Sequence, residues 1–195
     1  MGEHTRSDRR LTVMNLFRHG DRPRRDWLLD VVRLLLSVMM VLSLAACLAA
    51  IIALPLMTVW WEPARLALEE RASRPLPDNL TYLVAGCLVL GAIASILAFR
   101  FFAVGRRIVD TVTQGDPFIP ENAVRLREMG WLAVITQLLA FPASWLTGWL
   151  AHVTHSLYFD GRFSLGAILL ALVLFVLARI FRIGAEMRED LDGTV

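Results

Sequence analysis

Residues 34–61 read LLLSVMMVLSLAACLAAIIALPLMTVWW, 28 consecutive residues without Asp, Glu, Lys or Arg. A helix rises about 1.5 Å per residue and the hydrocarbon core of a bilayer is about 30 Å thick, so roughly 20 apolar residues cross it. A helix on the surface of a soluble protein would carry a charge every turn or so on its wet face, and this stretch carries none. Three further charge-free runs follow, Asn79 to Phe99, Met129 to Phe159, and Phe163 to Ala178. The last is short, but Arg179 can lay its aliphatic stem along the helix and place its guanidinium among the headgroups, which extends the run to Phe181. The sequence therefore predicts an all-α integral membrane protein, a four-transmembrane-helix bundle with spans at about 32–59, 80–103, 129–151 and 162–181.

The arginines orient it. Of 20 basic residues, all arginine, eight lie in residues 1–33, five in 100–128 and three from Arg179 onward; the other two connections hold only Arg65, Arg71, Arg74 and Arg162. Short basic segments stay cytoplasmic because moving them across the membrane is unfavourable. Both termini are thus expected inside, as an even number of spans requires. Residues 1–27 read as a basic, mobile cytoplasmic arm, and residues 28–195 as a single four-span domain. A secretory signal has a short basic region and an apolar core of about 7–15 residues, so the long arm and long first run do not predict cleavage. Trp27 and Arg33 sit where interfacial anchors belong.

Polar chemistry inside the spans is sparse: Ser37, Ser43, Ser95, Thr136, Gln137, Ser144 and Thr147. Transporters and proton relays place ionisable residues at mid-membrane, and none is present here. Gln137 is expected to make an interhelical hydrogen bond. Pro142 predicts a kink in span three, with Trp149 to Phe159 along the outer interface. Cys47 and Cys87 fall at depths differing by about 8 Å on the helical rise, which argues against a disulfide. His152 and His155 share a helical face but have no neighbouring Cys or carboxylate, so no metal site is expected. Small residues four apart, such as Gly91 and Ser95 or Ala167 and Ala171, favour close helix packing.

Outside the spans, Glu62-Pro63 is read as opening a short interfacial helix over Ala64 to Ala72, ended by Pro75 and Pro77. Between spans two and three the second helix is expected to run on to about Thr113, where Gly115 suits the left-handed position past a helix end and Pro117 keeps the helix from resuming. A new helix can begin near Pro120 or Asn122, with Pro in the first-turn position it prefers, and run into span three. This makes a helix-turn-helix-like cytoplasmic extension. Phe118 and Ile119 then sit in a tight turn, either as a packing wedge between the helices or as a surface for a partner. In the tail, Arg179, Arg182 and Arg188 mark the membrane edge, and Glu186, Glu189, Asp190 and Asp192 extend beyond it, in reach of Arg106, Arg107, Arg125 or Arg127.

The stretch Gly115-Asp-Pro-Phe118 with Asn122, Arg125-Leu126-Arg127 and Gly130, followed by Ala178-Arg-Ile-Phe181, Gly184 and the ending Glu189-Asp-Leu-Asp-Gly-Thr-Val195, resembles the bacterial membrane proteins grouped as domain of unknown function 2975. The resemblance runs from span one onward. It implies a four-span inner-membrane protein with no assigned catalytic residues, in a family often encoded beside a small helix-turn-helix regulator, and so a regulatory partnership.

No paired acid and base, ligand cluster or activated nucleophile accompanies the spans. The expectation is a non-enzymatic protein without cofactor, metal or direct nucleic-acid binding. Its environment is the lipid bilayer, and its partner-binding residues are Phe118, Ile119, Arg125, Arg127, Glu186, Glu189, Asp190 and Asp192. A DNA-binding regulator is the expected partner. The alternative is a channel or transporter subunit built as a homo-oligomer, with its pore between protomers.

Overall fold

The computed structural model describes residues 27–72, 79–154 and 164–192. These residues form four helices: α1 (Trp27–Ala72), α2 (Leu80–Thr113), α3 (Pro120–Thr154) and α4 (Leu165–Asp192). All four are long and apolar enough to cross a membrane. The basic arm, the Pro75–Pro77 stop and His155 lie outside the described residues, as does the side chain of His152.

Helix α1 runs unbroken for 46 residues, with Pro55 and Pro63 inside it. At the helical rise it is about 70 Å long, more than twice the hydrocarbon thickness. The segment read as a separate interfacial helix is instead its last turns. Each internal proline removes one helical donor, a loss that long apolar helices tolerate when other groups satisfy the freed backbone. The Thr58 hydroxyl donates back to the Pro55 carbonyl at 2.7 Å, a side-chain bond within the same turn that leaves the Ile51 carbonyl freed by Pro55 unaddressed. Pro142 likewise lies within a continuous α3 that reaches Thr154.

Each helix packs along its neighbour in the chain, α1 on α2, α2 on α3 and α3 on α4, while α1 and α4 are not drawn into extended contact. The helices therefore make an open antiparallel row. Pairings across the row fix its register: Arg33 meets Asp110, Arg100 meets Glu128, and Gly130 faces Phe175. The row tightens at one end. There Leu126, Leu174 and Ala178 are buried, with Phe101, Ile108, Met129 and Phe181 packed on them, so that α2, α3 and α4 share one core. The start of α1, the α2–α3 turn and the end of α4 all lie at this arginine-rich end. Cys47 and Cys87 are both free.

Candidate functional site: the arginine-rich end

The α2–α3 turn is built by its own sequence. Gln114 caps α2, its amide donating to the Asp110 and Thr111 carbonyls at 3.2 and 3.1 Å. Gly115 follows at φ 88°, a backbone region costly for any residue with a Cβ. Helix α3 then starts at Pro120, where the missing donor is not needed.

Asn122 locks this turn. Its side chain is fully buried, and its Nδ2 donates to Thr111 Oγ1 at 2.8 Å and to the Pro117 carbonyl at 2.9 Å. Its Oδ1 accepts from Arg125 Nη1 at 2.9 Å, and its backbone amide donates to the Ile119 carbonyl at 3.0 Å. One amide thus joins the end of α2, the turn and the start of α3. Buried polar groups satisfied in this way specify one geometry, because any opening strands several of them at once.

The turn is also fastened to α4. The Phe118 ring lies 5.3 Å from the Phe181 ring at a 36° tilt, and it covers Gly184, where an added Cβ would come within 2.9 Å of Phe118 Cδ1. Asp116 forms an ion pair with Arg188 across the same junction. Phe118 therefore acts as the packing wedge, with 43% of its surface still exposed. Ile119 is half-buried beside it.

The remaining predicted residues divide between structural and open positions. Arg125 is held by Asn122, and Glu186 pairs with Arg182 at 3.3 Å within α4. Arg127, Glu189 and Asp190 are exposed; Asp192 ends α4, and its side chain lies outside the described residues. Among the described residues no ion pair joins Glu189 or Asp190 to Arg106, Arg107, Arg125 or Arg127. The acidic end of α4 instead projects from the row.

Three cross-links at this end were not anticipated: Asp116 with Arg188, Arg33 with Asp110, and Arg100 with Glu128 at 2.8 Å. Arg33 Nε is 3.1 Å from Asp110 Oδ1, an oxygen that is buried and accepts no well-aimed hydrogen bond, so the contact is a charge pairing with poor angular geometry. The available signal was the placement of Asp110, Asp116 and Glu128 among the arginines of one connection.

The described residues contain no group of three His, Cys, Asp or Glu side chains that could hold a metal ion. Gln137, expected to bridge helices, instead has a buried Nε2 with no hydrogen-bond partner. The polar machinery of the described chain is concentrated at the arginine-rich end, and its geometry is that of a clasp.

A family model described as protein of unknown function (DUF2975) matches residues 65–195. The chain belongs to this family. The DUF2975 match takes in the last turns of α1 and all of α2 to α4, including the Gly115–Phe118 turn, Asn122 and Gly184, while most of α1 precedes it. No curated protein and no solved structure matches the chain.

Proposed function

We propose that this DUF2975 protein is a non-catalytic regulator of the bacterial inner membrane whose arginine-rich end faces the cytoplasm and binds a soluble protein, such as a small helix-turn-helix transcriptional regulator. The orientation rests on the arginine distribution. The observation that carries the binding role is the exposed acidic end of α4. Glu186, Glu189 and Asp190 project from a helix whose root is fixed by Phe118 on Phe181 and by Asp116 on Arg188.

DNA-binding surfaces are attracted to phosphate chiefly through charge. An acidic helix end held at the membrane competes for such a surface and withholds the regulator from DNA. In this reading Arg125 and Asn122 hold the platform, Phe118 and Ile119 form its edge, and the carboxylates make the contact.

Affinity capture tests the reading. The intact protein is compared with Glu189→Arg/Asp190→Arg, with Phe118→Ala and with a chain truncated before Glu186. Salt-sensitive retention of a basic DNA-binding protein, lost on charge reversal and truncation, is expected. Retention unaltered in all three variants, together with ion or solute flux in vesicles of the purified protein, would replace this reading with that of an oligomeric channel or transporter subunit.

A further inference from the structure

Between the start of α3 and the second half of α4 lies a groove of about 510 Å³ lined by Arg127, Arg179 and Arg182 together with Val124, Phe175 and Ala178. Arg182 shares its charge with Glu186. The side chains of Arg127 and Arg179 have no ion pair or hydrogen bond among the described residues. Three arginines thus line one groove, and two of them have no counter-charge among the described residues.

The groove also sits at a defined depth. Arg127 lies two residues before Met129, where the third charge-free run begins, and Arg179 directly follows Ala178, where the fourth ends. Both therefore fall at the level of lipid headgroups, with Phe175 one turn deeper. A ligand matching these surroundings has a phosphate at the top and an aliphatic chain beneath. Guanidinium presents a planar fork of donors that fits phosphate oxygens in pairs. A basic recess between membrane helices collects anionic headgroups, and apolar side chains below it take the acyl chain.

We infer that this α3–α4 groove is a binding site for an anionic phospholipid, with Arg127 and Arg179 on the headgroup phosphate, Arg182 at its edge, and one acyl chain passing along Phe175 beneath them. Assignment to the cytoplasmic leaflet rests on the proposed orientation; the binding itself does not. Occupancy ties the start of α3 to the second half of α4, the helix that Phe118 clasps at Phe181 and Gly184. The site thereby couples leaflet charge to the position of the acidic helix end.

The test is native mass spectrometry of purified full-length protein released from mixed phosphatidylglycerol and phosphatidylcholine nanodiscs, with phosphatidylglycerol affinity measured by titration in detergent. Phosphatidylglycerol should be retained over phosphatidylcholine. Each arginine near an anionic lipid surface is worth about fivefold in affinity, so Arg127→Gln/Arg179→Gln should weaken phosphatidylglycerol binding about 25-fold. Arg127→Lys/Arg179→Lys should keep most of the binding, which separates loss of charge from loss of fold. Arg107→Gln, at an exposed arginine that does not line the groove, should bind as wild type. Equal retention of the two lipids, an equal loss in Arg107→Gln, or displacement by millimolar inorganic phosphate would overturn the inference. Because no partner protein is present, this experiment can fail while the regulatory reading stands, and the reverse.

Discussion

Replacing Asn122 with leucine removes an amide and keeps the number and branching of its heavy atoms, with bulkier methyls, in a fully buried position. Two neutral hydrogen bonds are lost, to Thr111 Oγ1 at 2.8 Å and to the Pro117 carbonyl at 2.9 Å, each worth about 1 kcal/mol net. The Thr111 hydroxyl keeps its own donation to the Ile108 carbonyl at 2.7 Å, so it is not stranded. The Pro117 carbonyl loses its donor, which adds up to about 1 kcal/mol where water cannot reach it. Arg125 is half-exposed, and water replaces its bond to Oδ1. The sum is about 2–3 kcal/mol, and it falls on the turn, because both lost bonds span residues 111–122. The assay is amide hydrogen exchange in nanodiscs. The Gly115 and Asp116 amides, which donate to the Val112 and Thr111 carbonyls, should exchange roughly 30- to 150-fold faster in Asn122→Leu, while amides in mid-α2 such as Leu90 should not change. An acceleration below about threefold at Gly115 and Asp116 would refute the role given to Asn122.

Three other substitutions bear on the packing at this end and along the row. Gly130→Ala places a Cβ within 2.9–3.1 Å of three atoms of the Phe175 ring and should destabilise the α3–α4 pair by about 1–3 kcal/mol, whereas the Cβ of Gly86→Ala meets only the tip of Leu146 at 2.9 Å and should be near neutral; reversible unfolding in mixed micelles compares them. Gly115→Ala meets no atom within 4 Å, so its cost of about 1 kcal/mol should be backbone strain alone, and Gly115→Asn should recover part of it in the same assay. Asp116→Asn and Arg188→Gln each remove a half-exposed ion pair and should cost less than about 1 kcal/mol, with a double-mutant cycle giving a coupling that fades in high salt.

How much of this was legible in the sequence depends on the range of the interaction. The spans were, because an apolar run long enough for a bilayer is a local property of consecutive residues. So was the turn: Gly115 takes the positive φ its position suggested, and α3 begins at Pro120. The unbroken length of α1 was not, since Pro63 reads equally well as a helix opening and as an interior proline, and only tertiary context decides. The wedge role of Phe118 was one of two readings open to a sequence, and choosing between them needed Phe181 and Gly184, more than sixty residues away in the chain. Asn122 was visible only as a residue near a helix start. Its burial depends on three elements meeting around it. The open row was hidden as well, because small residues four apart permit close packing without specifying which helices meet.

The account turns on which side of the membrane carries the arginine-rich end. Reporter fusions active in only one compartment, placed at the N-terminus, after Asp78 and at the C-terminus, measure this most directly. The account predicts cytoplasmic, external and cytoplasmic locations in that order. An external C-terminus would contradict both the four-span topology and the cytoplasmic partner face.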